Sequence, residues 1–439
     1  MAIEAKSPRM MQCNQIDCLS DELLMEILRR LPNCKYVIRC KCVCKRWDAL
    51  VSHPWFITQF IGLKSGNLKE NSIIRDGVPG NSNEKHHTFA IVMLYHPNCC
   101  QPWHGPENLF RPSIFNAQSS SFSPLHYLGD DKASAEVVAS CNDLLIYCRD
   151  ENKKYDYYIS NVQTRQWVTL PSPSFHYVYQ IVGFISDPFY SCEREIVLNY
   201  AYSYTVVVIG ITLPHVPSKK IRAHFFSSTN HCDSQWSDRV LSLPKASRIR
   251  PLDPGFRFNG KLHFTCNEGI FGFDHNSIET DNEIQCHLVG WPVSRVLGSV
   301  YVSKGKLQLY EFEENEGVLR VWVLENYKKG IWMLQHRIET SDWVSPHSWM
   351  TEKLIQFSSR GPMCIDVFCI HHSDTGVIYV LIPGCIFECN LFTRAVKLAC
   401  RMPVTTAEGR QHCLMSKIFH PLVLPSWPTP LRSTAVIEG

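Results

Sequence analysis

The chain has 439 residues, of which 45% are hydrophobic and 19% are charged, a composition typical of globular proteins with a packed core. Its formal net charge of +3 argues against a broad basic surface for nucleic acid or membrane. The longest aliphatic run, residues 206–211, is much shorter than a membrane span, and residues 1–15 lack the apolar core of a signal peptide, so we expect the protein in the cytoplasm, the nucleus or both.

Residues 1–18 are predicted to be disordered, and residues 19–61 carry apolar side chains at helical spacing. Within residues 24–31 the apolar side chains repeat at i, i+3, i+4 and i+7, which predicts an amphipathic helix. Ser20 can cap its first turn, and Pro32 ends it.

A second helical pattern spans residues 37–50, and a third begins at Ser52 with Pro54 in its first turn. Three helices in about 45 residues bury too little apolar surface to be comfortably stable alone. We therefore expect this small helical domain to need a partner.

These residues resemble an F-box, the motif that docks a substrate receptor onto the Skp-type adaptor of a cullin-RING ubiquitin ligase. The resemblance is carried by Leu19, Asp21, Glu22, Leu23, Ile27, Leu31, Pro32, Val37, Ile38, Arg39, Cys42, Val43, Lys45, Trp47 and Leu50. It implies an adaptor-binding surface made of Leu19, Leu23, Ile27, Leu31, Pro32, Ile38, Cys42, Val43 and Trp47. Ser20 replaces the proline that usually follows the opening leucine, which keeps a helix cap but removes one apolar contact. An ordinary helical core with no external partner is the alternative interpretation.

Residues 62–86 are rich in glycine, asparagine, serine and charge, and are predicted to be a linker. From residue 87 to residue 425, short runs of strand-forming residues alternate with turn-forming ones, which indicates an all-β domain. Residues 426–439 are assigned to a C-terminal tail. The predicted fold class is therefore α+β and multidomain, with a three-helix F-box followed by a large all-β domain.

Two sequence elements recur in the β region. One is a tight turn before an apolar strand, at Asn142-Asp143, Asn259-Gly260, Lys304-Gly305 and Thr375-Gly376. The other is a strand, a polar turn and a closing strand, at residues 159–167, 226–236, 321–332 and 387–396. Repeating pairs of hairpins predict a β-propeller of about six or seven blades, in which residues 415–424 pair with residues 88–94 to close the ring. A pair of β-sandwiches is the alternative.

This region resembles the F-box-associated, kelch-like domain found behind plant F-boxes. The matching residues are Ser140, Cys141, Asn142, Leu144, Leu145, Asn161, Thr164, Trp167, Leu170, Pro171, Val182, Gly183, Phe184, Asp187, Pro188, Phe226, Ser227, Ser228, Asn259, Gly260, Trp322, Val323, Leu324 and Trp332. The sequence departs from the pattern at Asp143, where glycine is usual, and it lacks the double-glycine and Tyr-Trp pairs of true kelch repeats.

Target binding is assigned to long irregular insertions between the strands, at residues 98–112, 172–179, 231–238 and 342–349. Aromatic anchors dominate interface energetics, and these insertions carry Trp103, Phe175, Tyr177, Trp343 and Trp349 as candidates. In contrast, Trp167, Trp236 and Trp332 occupy repeated positions and are predicted to pack between blades.

The sequence contains no nucleophile elbow, Walker loop, zinc-protease motif or dinucleotide fingerprint. Its twenty cysteines lack the paired spacings of a tetrahedral zinc site, as in the alternating group Cys40, Cys42 and Cys44. We predict no catalytic residue, metal or cofactor, and a propeller enzyme is the least favoured alternative.

The two resemblances together imply the substrate-recognition subunit of a Skp–cullin–F-box ubiquitin ligase. Its expected partners are the Skp-type adaptor, through it the cullin-RING ligase, and a target protein bound by the β domain for degradation. The alternative is an F-box scaffold, or a protein that binds a glycan or another small ligand, without a role in degradation.

Overall fold

A computed structural model of the chain describes residues 16, 18–72, 88–93, 113–116, 121–124, 135–151, 154–175, 177, 179–192, 195–211, 216–229, 235–249, 254–274, 282–293, 298–313, 316–343, 366–370, 376–382, 385–401 and 419–431. The chain divides into two compact units. One comprises residues 1–86 with Tyr190–Leu198, and the other comprises residues 87–189 with residues 199–439.

The first unit contains four helices: α1 (Asp21–Arg29), α2 (Cys34–Cys40), α3 (Lys45–Ser52) and α4 (Pro54–Ser72). It also contains a short hairpin of strands β9 (Tyr190–Ser191) and β10 (Val197–Leu198). None of the helices, as far as the chain is described, combines the length and the apolarity that a membrane span requires.

The second predicted helix is instead two helices, α2 and α3. After α2, the N–H groups of residues 41–43 donate to carbonyls three residues earlier, so the chain winds more tightly than an α-helix. Cys44 is then extended, with φ −163° and ψ 168°. Cysteine and valine are poor helix formers, which explains why the chain turns here although its apolar spacing is continuous.

Helix α4 extends to Ser72 and so passes through the start of the segment predicted as a linker. Residues 62–72 contain glycine and asparagine, which cost a helix up to about 1 kcal/mol each, but no proline. Turn-forming composition alone therefore did not end the helix.

The second unit contains six sheets among its described strands. Sheet I has β1 (Thr88–Met93), β2 (Ser113–Asn116), β3 (Ser121–Pro124) and β27 (Phe419–Leu424). Sheet II has β4 (Glu136–Cys141), β5 (Leu144–Glu151), β6 (Lys154–Asn161) and β7 (Trp167–Thr169). Sheet III has β8 (Tyr179–Ser186), β11 (Tyr204–Ile211), β12 (Ser218–Ser227), β13 (Ser237–Ser247) and β17 (Glu283–Gln285).

The other three sheets have four strands each. Sheet IV has β14 (Phe256–Phe258), β15 (Lys261–Cys266), β16 (Gly269–Phe273) and β18 (His287–Gly290). Sheet V has β19 (Gly298–Ser303), β20 (Lys306–Glu313), β21 (Val318–Asn326) and β22 (Ile331–Glu339), followed by a 3₁₀ turn at Thr340–Asp342. Sheet VI has β23 (Asp366–Ile370), β24 (Val377–Ile382), β25 (Cys385–Asn390) and β26 (Val396–Arg401).

The sheets follow one another around a closed ring. Their inner strands make contact in the order β27, β4, β8 and β14, and again from β19 to β23 and back to β27. Sheets IV and V share a core of Phe258, Ile270, Val289, Leu307 and Leu324, which joins the two arcs. This is the predicted β-propeller rather than a pair of sandwiches, with six blades among the described strands.

Ring closure follows the prediction in detail. Strand β27 pairs antiparallel with β1, from Thr88 opposite Leu424 to Met93 opposite Phe419. The last strand thus completes the first blade, and the described chain continues beyond it to residue 431. A propeller closed in this way has no open edge between its first and last blades.

The predicted tight turns depend on residues with positive φ. Asn259 and Gly260 have φ values of 48° and 73°, and Lys304 and Gly305 have 47° and 69°. Two consecutive positive values are what a two-residue hairpin of matching twist requires. Thr375 lies outside the described residues.

Candidate functional site

Helix α1 begins where the sequence predicts. Ser20 is extended, and its hydroxyl accepts a hydrogen bond from the N–H of Leu23 at 3.4 Å. Hydrogen bonds from the backbone N–H of Glu22 and from the Ser20 hydroxyl lower the pKa of the Glu22 carboxyl. Arg46 of α3 donates to the Asp21 carboxylate at 2.8 Å and to the Leu19 carbonyl at 2.5 Å. Ser20 therefore keeps the helix start intact in place of the usual proline.

The core of the helical unit is small. Among the described side chains of its four helices, the buried apolar ones are Leu24, Leu28, Cys34, Val37, Val51, Phe56, Ile57, Phe60 and Ile61. Ile27, which belongs to the same predicted stripe as Leu24 and Leu28, is not among them. The apolar stripe of α1 is therefore wider than the face that the unit itself covers.

The nine residues implied in adaptor binding all remain at least partly accessible in this unit. Leu23, Ile27 and Val43 are 56%, 51% and 61% exposed. Pro32 and Cys42 are also exposed, and Leu19, Leu31, Ile38 and Trp47 are half-buried. Large exposed apolar side chains grouped on one small domain are typical of an interaction surface.

The two aromatic candidates of the predicted target-binding loop at residues 172–179, Phe175 and Tyr177, lie together against sheet III. The ring of Phe175 stacks on His224 with centroids 3.7 Å apart, and it meets Trp236 edge-on at 5.5 Å. The Tyr177 hydroxyl is 2.8 Å from Nε2 of His224, whose Nδ1 is 2.8 Å from an oxygen of Asp238. We call Phe175, Tyr177, His224, Trp236 and Asp238 the aromatic cluster.

The chemistry of the aromatic cluster is that of a structural anchor. Burial raises the pKa of Tyr177, so its phenol stays protonated, and burial lowers the pKa of His224 although Asp238 opposes the shift. A β-carbon at Gly210 would overlap the Tyr177 ring, so this ring covers the strand. Trp236 donates to the Pro171 carbonyl at 2.7 Å. These contacts fix the β7–β8 connection to sheet III, and they leave Phe175 and Tyr177 half-buried.

The other three target-binding candidates do not join this cluster. Trp343 is only 4% exposed and packs into the core between sheets V and VI, so the prediction of an exposed anchor is wrong for it. Trp343 directly follows the 3₁₀ turn and its side chain points into the core. The irregular sequence around it does not indicate this inward direction. Trp103 and Trp349 lie outside the described residues.

The predicted blade-core tryptophans differ among themselves. Trp332 packs against the core of sheets IV and V and donates to the Gly290 carbonyl at 2.8 Å. Trp236 belongs to the aromatic cluster and is half-buried. Trp167 is exposed on β7, so its assignment to a core is wrong. As an outer strand of sheet II, β7 has no described strand beyond it to cover this side chain.

Asp143, which stands where glycine is usual in the family pattern, is a buried polar hub. Its carboxylate accepts hydrogen bonds from the N–H and hydroxyl of Thr429 at 2.8 and 2.7 Å, and from the Asn161 amide at 2.6 Å. Asp143 and Asn161 are completely buried. The hub ties the segment after the closing strand to sheet II, so an aspartate at this turn contributes a long-range bond that a glycine could not make.

Across the part of the chain that is described, no group of three or more histidine, cysteine, aspartate or glutamate residues is arranged to hold a metal ion. Burial raises the pKa of Cys141 to about 11 and that of Cys286 to about 12, so these thiols stay protonated. The Cys141 sulfur accepts a hydrogen bond from the Ser186 N–H at 3.3 Å, so this thiol has a structural contact.

Comparison with known protein families gives two matches in this chain. Residues 16–59 match the F-box domain, and residues 114–420 match the family described as "F-box protein At3g26010-like, beta-propeller". No curated protein matches the chain. The kelch-like type and a plant source stay predictions.

Solved structures resemble the fold at low identity. TolB from Acinetobacter baumannii is 11% identical with a TM-score of 0.40, and the alignment covers 84% of this chain and 73% of TolB. A protein from Lactobacillus plantarum is 11% identical with a TM-score of 0.34, covering 72% and 97%. Apo AztD from Citrobacter koseri is 8% identical with a TM-score of 0.31, covering 74% and 84%. The two sequence-family matches, together with the four helices and the closed ring of sheets, establish that the chain belongs to the At3g26010-like family of F-box β-propeller proteins.

Proposed function

We propose that this protein is the substrate-recognition subunit of a Skp–cullin–F-box ubiquitin ligase. The F-box would bind the Skp-type adaptor, and the propeller would bind a target protein. The subunit performs no bond chemistry. It raises the effective concentration of the target beside the ubiquitin-charged conjugating enzyme. The proposal implies action in the cytoplasm or the nucleus.

The observation that supports docking best is the exposed apolar group Leu23, Ile27 and Val43. Leu23 and Ile27 are one turn apart on α1, so they present neighbouring side chains to a partner. Val43 lies in the turn between α2 and α3, next to Cys42, which is also exposed. Burying these side chains against an adaptor would contribute about 25 cal/mol for each Å² removed from water.

The charged residues of α1 leave this apolar group free to bind. Arg29 and Arg30 pair with Glu26 at 2.5 and 2.7 Å, so much of the charge on the helix is neutralised locally. The hydrogen bond from Arg29 is the main cause of the lowered pKa of the Glu26 carboxyl. A partner that covers Leu23 and Ile27 therefore need not strip these charges of their counterions.

Leu23→Glu offers a sharp test, because the chain already has Ser20 at the N-cap. A glutamate three residues after a capping serine forms a capping box, so the variant should keep or strengthen α1. Trp55→Glu is the matched control. It changes another exposed apolar residue in the first turn of α4, where a negative charge is also tolerated, outside the implied adaptor surface.

The experiment is affinity purification of the full chain from cells with the proteasome blocked. Wild type and Trp55→Glu should recover the adaptor, the cullin and a ubiquitylated target. Leu23→Glu should recover the same target without the ligase and without ubiquitin on it. Recovery of the adaptor in equal amounts by wild type and Leu23→Glu would contradict the docking surface. A target that is bound but never ubiquitylated in any sample would favour the scaffold alternative.

A further inference from the structure

Strand β22 is the outer strand of sheet V, and it is unusually apolar for an exposed strand. Ile331 and Met333 are each 51% exposed, and the nearby Phe392, in the turn between β25 and β26, is 64% exposed. No other described strand pairs with the outer edge of β22. This nine-residue edge presents backbone N–H and C=O groups on the side away from β21, together with apolar side chains, so it is a template for a further strand. At its end, the N–H of Glu339 donates to the Asp342 carboxylate at 3.2 Å.

The register shows where these side chains point. Met333 lies opposite Val323 and His336 lies opposite Val321, with a bulge between them at Gln335. Val321 belongs to the core between sheets V and VI, so this face of β22 is turned toward sheet VI. Phe392 of sheet VI meets His336 edge-on at 5.2 Å. Ile331, Met333, His336 and Phe392 therefore form one surface, which we call the rim patch.

The molecule already uses strand addition on another blade. Strand β17 pairs in parallel with β13, the outer strand of the sheet III meander, with Leu241 opposite Ile284. Ile284 is buried in the core of sheets III and IV, and Glu283 pairs with Lys220 at 2.8 Å. One blade edge of this propeller thus already carries a short strand of the same chain that has an apolar side chain and an acidic neighbour.

The charges beside the rim patch match the same kind of segment. Lys328 and Lys329 lie in the turn that leads into β22, both are exposed, and neither forms an ion pair with any described residue. Arg394 lies close enough to His336 to lower the pKa of that histidine, although burial is the larger cause. Two acidic residues near β22, Glu316 and Glu339, are in contrast paired with Arg337, the latter at 2.8 Å.

We propose that β22 binds an extended segment of the target polypeptide by strand addition, with alternating apolar side chains on the rim patch and acidic residues beside Lys328 and Lys329. This inference deepens the proposed function, on which it rests, by naming the docking surface and the class of segment that it takes. Main-chain hydrogen bonds supply affinity in this mode, and the side chains supply specificity.

The test uses the full chain and a fluorescent peptide of alternating valine and threonine with two glutamates at each end. Fluorescence anisotropy should detect binding that Met333→Lys weakens about tenfold or more. Trp167→Lys is the matched control, since Trp167 is an exposed aromatic residue on the outer strand of sheet II, and it should bind the peptide as wild type does. The double variant Lys328→Glu with Lys329→Glu should prefer a peptide whose four glutamates are replaced by lysines.

Backbone methylation separates strand addition from a general affinity for apolar peptides. Alternate N–H groups of a strand point to the same side, so of two peptides methylated at alternating nitrogens only one should lose binding. Equal binding of both methylated peptides, or no effect of Met333→Lys, would overturn the proposal. It would also be overturned if wild type sedimented as a dimer and Met333→Lys as a monomer, because β22 would then bind a second copy of this chain.

The adaptor is titrated in parallel, so that the two proposals can fail separately. Met333→Lys should bind the adaptor normally while losing the peptide. If wild type fails to bind the adaptor but binds the peptide as described, the ligase function is wrong and β22 remains a peptide site. If the adaptor binds and the peptide does not, only the docking proposal is wrong.

Discussion

Leu23, Ile27 and Val43 of the helical unit face solvent, whereas the aliphatic side chains of adjacent propeller sheets, such as Val207 and Leu262, pack against each other. Helices α1 and α3 are joined by the exposed ion pair of Asp21 with Arg46 and by a thin apolar core, while the propeller adds buried polar bonds that link distant parts of the chain. The propeller thus has extensive shared cores between its sheets, with apolar exposure at places such as the rim patch, whereas the apolar surface of the helical unit exceeds what that small unit can bury.

The largest loss of stability is expected when the buried hydrogen bonds of Asp143 are removed. Asp143→Ala leaves the N–H and hydroxyl of Thr429 without their buried acceptor and removes one of the two acceptors of the Asn161 amide, which still donates to the Thr429 carbonyl at 2.8 Å. Each unsatisfied buried group costs about 1 to 3 kcal/mol, so we expect the free energy of unfolding of the propeller to fall by about 3 to 5 kcal/mol. Chemical denaturation followed by tryptophan fluorescence measures this loss.

Asp187→Ala is the control for that experiment. Asp187 also accepts two hydrogen bonds, from the N–H and hydroxyl of Ser203, but it is half-buried and water can replace it. Its loss should cost about 1 kcal/mol. Equal effects of the two variants would show that the tie between Asp143 and Thr429 does not secure ring closure.

A second test concerns the interface between sheets IV and V. His263 is buried, its Nε2 is 2.8 Å from the Tyr327 hydroxyl, and burial lowers its pKa from 6.5 to about 4. Below pH 6.5 the unfolded chain binds a proton that the folded chain rejects, so stability should fall as the pH drops from 6.5 toward 4, by about 3 kcal/mol. Denaturation at several pH values, with His263→Gln, checks this slope.

The variant His263→Gln should be less dependent on pH in that window, whatever its stability at neutral pH. His287→Gln serves as the control, because His287 is only half-buried beside the same tyrosine. An unchanged slope in His263→Gln would assign the acid sensitivity to other groups.

A smaller effect is expected at the repeated turn of sheets II and VI. Asn161 and Asn390 each accept bonds from the N–H groups two and three residues ahead, and each turn places an arginine at φ 61°. Left-handed backbone costs a non-glycine residue about 1 kcal/mol or more, so Arg165→Gly should stabilise the propeller by up to about that amount. Thermal unfolding measures both variants: Arg165→Gly should unfold at a higher temperature than wild type, and the control Gln166→Gly should unfold at a lower one. A loss of stability in both variants would contradict the claim that the backbone of Arg165 is strained.

Local chemistry made part of this structure predictable. The Ser20 cap, the stop at Pro32 and the Asn259-Gly260 and Lys304-Gly305 turns follow from residues within a few positions of each other. Pairing of the C-terminal strand with β1 was predictable because a propeller needs its ring closed.

The remaining features depend on residues far apart in the sequence. Asp143 and Thr429 are 286 residues apart, and no local pattern links them. Trp343 looks like a loop aromatic by its neighbours, but the fold of sheets V and VI decides its burial. Phe175 and Tyr177 are predicted together from one loop, yet their partners lie far along the chain, His224 on β12 and Trp236 directly before β13. The spacing of apolar residues shows which of them share a face of a helix or strand, but only tertiary packing decides which of these side chains stay exposed.

The most direct test of the central claim is calorimetric titration of a purified Skp-type adaptor into the full chain. Wild type and Trp55→Glu should bind with the same affinity, and Leu23→Glu combined with Ile27→Asp should bind about 100-fold more weakly or not at all. Circular dichroism should show that the double variant keeps its helices, because both replaced side chains are exposed. Undiminished affinity in the folded double variant would contradict the claim that this exposed apolar face binds the adaptor.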